Sequence, residues 1–485
     1  MKKLQSILDV AKQMAAERDL DNLLPLILNH AANVVSADRC SIFILDRERK
    51  ELWSKVAQGA KDEIRLPVGS GIAGTVAQTG TVINIEDAYQ DERFNRFFDD
   101  KTGYRTHTIL AVPMRDANGE VVGVIQALNR KQGTFNSEDE ELLLALGGQA
   151  ASAVENALLH EEINKLFEGF VSASVVAIES RDPTTAGHSG RVASLTVELA
   201  RATEHLSTGP YAGTRFSYDQ VKEIRYASLL HDFGKVGVRE PVLVKADKLY
   251  PHELDALRAR FQLARKDREL QSLRRRLEVA RQKGAPALAE LERTEEPALL
   301  ISLRELDEVM EFILACNRPT VLAQGGFERL SSFSKIGYQD AFNQALPLLT
   351  EHEVKLLSIP RGSLSQEERE EIESHVTHTY KFLSQIPWTR DLRRVPEIAY
   401  AHHEKLNGKG YPRKIAAVEI PLQSKMMAIS DIYDALTAAD RPYKKAVERE
   451  KALDILKDES ARGQIDGELL NVFVEADIPR KALPK

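Results

Sequence analysis

Cysteine is almost missing from these 485 residues: Cys40 and Cys316 lie far apart and form no CxxC, so no disulfide framework is available and a reducing, cytoplasmic setting is expected. Positive charge is not in excess either. The 66 lysines and arginines face 73 aspartates and glutamates, a formal net charge of −7, which gives no footprint for long nucleic acid and leaves room only for a local anion site. Long apolar runs are also lacking. The longest uncharged one near the middle extends only from residue 142 to 154, short of the roughly 20 residues that span a bilayer, so no membrane insertion is expected. At the amino terminus, MKKLQSILDV offers two lysines, but Asp9, Lys12 and Glu17 break any apolar core and no signal peptide is expected. What remains is ordinary globular composition, 43% hydrophobic and 29% charged. At this length it predicts roughly two to four domains.

Helical spacing in LLPLILNHAANVV opens the chain, after which the period changes. CSIFILD, ELWSKVA, TVINIED, TILAVPMRD and VVGVIQALNR are short β-rich runs separated by turns such as Ala117-Asn118-Gly119. A long helix capped by Ser137 follows and is expected to leave the first domain and enter the next. From about residue 165 the pattern is helical without alternating strands. Within it, residues 245–316 place Leu254, Leu257, Phe261, Leu270, Leu273 and Leu277 at spacings of three and four among dense charges, with KGAP as a turn, which predicts a helical hairpin or coiled coil.

The helix–sheet–helix order, GSGIAGTVAQTG before TVINIED, AVPM, and NRKQGTF followed by NSEDE make residues 18–160 resemble a GAF domain. Members that bind cyclic nucleotides carry an Asn-Lys, Phe, Asp-Glu signature; Asn129, Phe135, Asp139 and Glu140 match it here, and Arg130 stands in place of Lys. The resemblance implies a cyclic mononucleotide or another small ligand. The alternative is that Asn129 and Asp139 only tie the last strand to the last helix.

Five other segments carry metal-ligand chemistry: TAGHSGRV with His188, LLHDFGKVGV with His231 and Asp232, EIESHVTHTYKFL with His375, AHHEKLNGKGYP with His402 and His403, and AISDIYDALTAADRPYKKA with Asp431. Each falls on an expected helix or at its end, and a bundle can aim them into one cavity. Neighbouring side chains on a helix diverge by about 100°, so His402 and His403 suit two adjacent ions better than one. With Asp232 bridging, two metals about 3.5–4 Å apart would activate water for in-line attack on phosphorus. Mixed imidazole and carboxylate favours iron or manganese over a thiolate-rich zinc site. His30, His107, His160, His205, His252, His352 and His378 are set aside as ordinary core or surface groups, His378 despite lying three residues after His375.

Taken in order with the flanks HDFGK, HHE, NGKGYP and DRPYKKA, these residues make the stretch 165–485 resemble an HD-GYP domain, the HD-superfamily phosphodiesterases that cleave cyclic di-GMP. The resemblance implies metal ligands at His188, His231, Asp232, His375, His402, His403 and Asp431. It gives Lys235, one turn after Asp232, the neutralising of a scissile phosphate oxygen. Arg441 and Lys444 would hold a second phosphate. Gly408 and Gly410 would let the loop backbone approach a nucleotide, and Tyr411 would stack or hydrogen-bond on it. Glu404 would orient a histidine or line the site, and Asp434 would support a ligand from behind. Two departures stand out. Asn407 occupies the family's Asp position, which removes a charge but keeps turn-forming ability and could shift preference toward 3′,3′-cGAMP. The gap between Asp232 and His375 is long, which the hairpin insertion explains. Thr184, one turn before His188, offers no carboxylate, so two metals are expected rather than three.

The expected fold is thus multidomain: a helix at 1–17, an α+β GAF sensor domain with a central antiparallel sheet at 18–160, a connecting helix at 137–170, and an all-α HD-type bundle at 165–485 with a helical insertion at 245–350. The expected activity is hydrolysis of cyclic di-GMP to pGpG and then GMP, in a cytoplasmic homodimer whose shared helix transmits the sensor's state. Two other readings stay open: a receptor or adaptor that binds a cyclic dinucleotide without turnover, and an HD phosphohydrolase acting on a mononucleotide, 3′,3′-cGAMP or (p)ppGpp.

Overall fold

The computed structural model describes residues 12–54, 64–181, 186–319, 325–340, 342–438 and 446–482. Of the expected helix at 1–17, residues 12–17 fall among them, and 12–16 are helical. Two compact units divide the chain, Met1–Gly169 and Phe170–Lys485.

In the first unit, helix α1 (Leu20–Val34) begins where the Asp19 carboxylate accepts the Asp21 N–H. It buries Leu20, Leu23, Leu24, Ile27, Leu28 and Ala31 at spacings of three and four. Six strands follow: β1 (Ala37–Asp46), β2 (Glu51–Ser54), β3 (Ile64–Pro67), β4 (Ile83–Ile85), β5 (Ile109–Arg115) and β6 (Val121–Arg130), in the order β3-β2-β1-β6-β5-β4 with every pair antiparallel. The short β3, IRLP, escapes the sequence reading. Side chains alternate between two buried faces. Cys40, Ile42, Ile44, Leu110, Val112 and Met114 pack against α1 and the start of a long helix, α4 (Ser137–Arg181). Phe43, Ile109, Ala111 and Val124 face the other way, toward α2 (Gly71–Thr79). A short helix α3 (Phe97–Thr102) lies between β4 and β5.

Helix α4 is capped one residue earlier than the sequence predicts. The Asn136 side chain accepts the Asp139 N–H at 3.0 Å while the Asp139 carboxylate accepts the Asn136 N–H at 3.1 Å, a reciprocal pair that Ser137 does not make. The helix runs to Arg181, past the expected residue 170. Among the described residues it is also the one helix long and apolar enough to cross a membrane, and 44% of its most apolar stretch is buried inside the protein.

The second unit is a helical bundle built from α5 (His188–Glu204), α6 (Tyr218–Leu230), a short α7 (Glu240–Leu243), then, beyond an insertion, α12 (Gln366–Leu383), α13 (Val395–Tyr400), α14 (Leu422–Thr437), α15 (Arg449–Ala461), α16 (Gly467–Glu475) and α17 (Ile478–Ala482). Its core joins Leu195, Leu199, Ile224, Met426, Ile429 and Phe473 from α5, α6, α14 and α16. The insertion holds two antiparallel helices, α8 (Pro251–Lys283) and α9 (Ala285–Asn317), joined by Gly284 alone, then α10 (Gly326–Phe333), a β7–β8 hairpin (Gly337–Gln339, Ala345–Pro347) and α11 (Glu351–Leu357). That hairpin is strand structure the sequence reading does not predict. The insertion has a core of its own, with Leu257 and Phe261 packed against Leu306, Ile313, Leu330 and Leu348. The single leucine stripe expected on α8 divides: Leu257 and Phe261 are buried, while Leu270, Leu273 and Leu277 point to solvent.

Candidate metal centre

Helix ends bring most of the ligand-type side chains together. His188 is the first residue of α5, His231 caps the end of α6, His402 and His403 lie in the turn after α13, and Asp431 and Asp434 sit three apart on one face of α14. His375 lies mid-helix on α12, as Asp431 does on α14. Contrary to the sequence expectation, Lys235 is not on an α-helix with Asp232: the chain leaves α6 at Asp232 and makes a tight 3₁₀ turn, Phe233–Gly237. The turn is pressed onto α12. The Gly234 N–H donates to Thr379 Oγ1 at 2.8 Å, and a Cβ on Gly234 would fall 1.9 Å from the His375 carbonyl oxygen.

Two clusters result, His188 with His231 and Asp232, and His375 with His402 and His403; within each, one ligand atom per residue lies within 4.8 Å of the others. The carboxylates straddle both. Asp232 stands 3.9 Å from His188 Nε2, 3.6 Å from His231 Nε2 and 3.3 Å from His375 Nε2. Asp431 stands 3.2 Å from His188, 3.8 Å from His231 and 3.9 Å from His403.

Backbone geometry fixes the imidazole tautomers. His231, His375 and His402 each donate Nδ1–H to the carbonyl three residues earlier, on Ser228 at 2.7 Å, Ile372 at 2.5 Å and Ala399 at 2.6 Å. Their Nε2 atoms are then bare acceptors, and all three are buried with no hydrogen-bond partner. An unsatisfied buried acceptor is costly, and three converging on two carboxylates fit cations as partners. The protonation states agree. Burial pushes His231 below the ordinary imidazole value and His402 well below it, in the latter case with the neighbouring His403 and His231 adding to the effect. Burial brings His403 down to about 3 against the opposing pull of Asp431. Burial would raise Asp232, but Lys235, His231 and His375 hold it well below the usual carboxylate range; Asp431 is lowered in the same way by His188. His188 differs. Burial lowers it, yet its bonds to Asp431 and Asp434 carry it up to about 9, so a metal ion would compete there with a proton.

Around this core, Asp434 accepts His188 Nδ1 at 2.7 Å and is itself gripped by Arg191 at 2.7 and 3.1 Å. Sequence reasoning misses Arg191, although its place three residues after His188 puts both on one helix face. Lys235 Nζ lies 2.8 Å from Asp232. Glu404 does not reach a histidine. It is buried and accepts the N–H groups of Arg413 at 2.7 Å and Ile415 at 3.1 Å, which folds the loop over it. Gly410 is needed because a Cβ there would lie 2.3 Å from the Lys405 nitrogen, and Gly408 because its φ is +71°. Tyr411 lies over His403, with ring centroids 4.8 Å apart. Exposed Asn407 accepts the Lys409 N–H at 3.1 Å and donates to the Arg462 carbonyl at 3.2 Å. A carboxylate keeps the first bond and cannot make the second, so Asn407→Asp is expected to cost about 1 kcal/mol, read as a small fall in thermal midpoint. Arg441, Lys444 and Thr184 lie outside the described residues. His378 joins neither cluster and packs over Gly237 instead.

The four GAF-signature residues are engaged in tying elements together. Asn129, at φ +52°, accepts the N–H groups of His107 and Thr108 and donates to Tyr104 and the Arg105 carbonyl. Arg130, at the position where the signature has Lys, lies 2.7 Å from Asp139. Glu140 accepts from Asn84, which also bonds the carbonyl of buried Phe135. A separate cleft of about 920 Å³, its open mouth included, opens on the α2 face and is lined by Arg39, Phe43, Gln126, Tyr104 and Asp99 among others, and by none of those four.

Comparison with known proteins fits this architecture. A family described as GAF domain matches residues 19–154, and one described as HD domain matches residues 352–469, the part that holds His375, His402, His403 and Asp431. A probable 3′,5′-cyclic phosphodiesterase of Caenorhabditis elegans is 34% identical over 190 residues, 36% of this chain and 26% of its own length. A dual 3′,5′-cyclic-AMP and -GMP phosphodiesterase of Drosophila melanogaster is 36% identical over 174 residues, 32% of this chain and 12% of its own. The chain therefore spans about a quarter or less of these relatives. Because residues 155–351 separate the two family matches, alignments of that length reach only one of the two domains. The solved GAF domain of a Coxiella burnetii phosphoenolpyruvate-protein phosphotransferase covers 33% of this chain and 96% of its own at 23% identity, with a TM-score of 0.30. The chain carries an amino-terminal GAF domain with an antiparallel sheet, followed by a helical HD-type domain.

Proposed function

We propose that this chain is a two-metal phosphodiesterase that cleaves a cyclic dinucleotide, cyclic di-GMP foremost, to pGpG and then GMP, under control of its GAF domain. The observation that carries this reading is the set of three buried, unpartnered Nε2 atoms of His231, His375 and His402 around Asp232 and Asp431. His188, His231 and Asp232 would hold one divalent ion and His375, His402 and His403 the other, with Asp232 and Asp431 reaching both groups. Iron or manganese bound there would supply Lewis acidity toward a phosphoryl oxygen and lower the pKa of water. The chain's own groups orient the reaction. Asp434 and the three backbone carbonyls hold the imidazoles in a single tautomer. Lys235 puts positive charge beside Asp232, where a phosphate oxygen gains charge. Tyr411 offers a ring for a base, and Arg441 with Lys444 supplies a grip for the second phosphate, which a mononucleotide does not need.

Cyclic mononucleotides are the rival substrates and the candidate GAF ligands, since the Drosophila relative is a dual cyclic-AMP and cyclic-GMP phosphodiesterase. The test is hydrolysis of cyclic di-GMP, 3′,3′-cGAMP, cyclic AMP and cyclic GMP by anaerobically purified protein loaded with Mn²⁺ or Fe²⁺. Turnover of cyclic di-GMP above the others is expected. Turnover of a mononucleotide alone would replace this reading, and tight cyclic di-GMP binding without product would leave a receptor.

The proposal includes a homodimer through α4. Leu159, Ile163 and Leu166 are 55, 63 and 76% exposed and spaced four and three apart, the seam of a two-stranded coil. Replacing Ile163 and Leu166 with glutamate is expected to convert a dimer to a monomer in sedimentation; a monomeric wild type would sink the idea.

A further inference from the structure

Helix α8 presents a second apolar face that none of the described residues covers. Leu263, Leu270, Leu273 and Leu277 are 48, 43, 62 and 69% exposed, whereas Leu257, Phe261, Ala264 and Ser272 of the same helix are buried. At about 100° per residue, the two sets centre on roughly opposite sides of the helix. The exposed set keeps a seven-residue register: positions 263, 270 and 277 are equivalent, and 273 falls between them at the complementary core position. This seam is about 80° wide and ~21 Å long. That is narrower than the stripe of about 100° or more with which a helix beds into a globular core, and narrower still than the broad face that lies in a lipid surface. Its width suits one partner helix.

Charge then selects the partner. Arg274, Arg276 and Arg281 border the seam, and none forms an ion pair with a carboxylate among the described residues, whereas Arg275, turned toward α9, pairs with Glu295. The nearest acid on the seam, Glu269, is already bonded to Lys266. A second α8 laid on this face would set arginine against arginine, which disfavours self-pairing.

We propose that the outer face of α8 docks an acidic amphipathic helix of a partner protein, with apolar anchors in the leucine seam and carboxylates opposite Arg274 and Arg281. The probe is a synthetic four-heptad peptide with leucine at the core positions and glutamate at the flanking ones, titrated by fluorescence anisotropy onto the full chain. Binding is expected, weakened at least tenfold in Leu270→Ser/Leu273→Ser. In Arg274→Glu/Arg281→Glu the preference should turn to a peptide with lysine at the flanking positions. All four positions lie outside the insertion's core, so unchanged melting of the variants certifies their fold. No binding, or equal binding by both variants, overturns the proposal. So does recruitment to phosphatidylcholine vesicles containing phosphatidylglycerol that the same leucine changes abolish, or self-association that they abolish.

Discussion

Asp232→Ala is expected to lower phosphodiester hydrolysis by at least about 10³-fold, roughly 4 kcal/mol of transition-state stabilisation, and to reduce bound metal from two ions per chain to one or none. Asp232 is 5% exposed and meets imidazoles of both clusters as well as Lys235. Without it, Lys235 remains near the cluster with its carboxylate gone, a loss that breaking a buried pair puts at about 3–5 kcal/mol. The Asp232–Lys235 pair is present without metal as well, so the metal-free variant should melt below wild type, and the further metal-dependent rise in midpoint disappears. Metal content by elemental analysis and product by chromatography read the two effects separately. A variant that keeps two ions and full turnover would remove Asp232 from the site.

Gly234→Ala should be the most damaging single methyl in the bundle. The new Cβ would lie 1.9 Å from the His375 carbonyl oxygen, 2.5 Å from the Thr379 nitrogen and 2.8 Å from the His375 carbonyl carbon, all backbone atoms of α12 that no rotamer can move aside. Relief requires the 3₁₀ turn and α12 to part, which also strains the Gly234 bond to Thr379. A loss of about 3 kcal/mol is expected, at the upper end for overpacking, together with weaker metal binding, because Asp232 sits on one of the parting elements and His375 on the other. Thermal melting with and without metal measures both. A melting temperature within a degree of wild type would mean that the turn and α12 are not held this tightly.

The candidate cluster is legible in the sequence because His231, Asp232, His402 and His403 fall within HDFGK and HHE, which with NGKGYP announce the turns that carry them. What escapes is whatever depends on a partner distant in sequence. Arg191 reads as an ordinary helix arginine until Asp434 arrives from α14. Glu404 invites a role on a neighbouring histidine, yet loop closure turns it toward the Arg413 and Ile415 amides. The carbonyls that fix His231, His375 and His402 carry no side-chain signal at all. In the first domain, β-rich runs between turn signals announce β1, β5 and β6, whereas four-residue β3 is too short to stand out. Helical spacing on α8 announces a helix correctly but cannot tell one face from two, so the buried and solvent-facing leucines merge into a single stripe in the sequence.

Glu368, on α12, accepts Lys245 Nζ at 2.7 Å and the Tyr250 hydroxyl at 2.6 Å, and Tyr250 caps the first turn of α8. The α8–α9 arm is therefore a lever about 50 Å long whose fulcrum stands two turns, about 10 Å, from His375 on the same helix. A tip deflection of about 5 Å rotates such a lever by roughly 6° and carries through to an ångström at the imidazole, a distance on the scale at which metal coordination forms or fails. Load placed on the arm is thereby geared down, about fivefold, into the geometry of the histidine cluster.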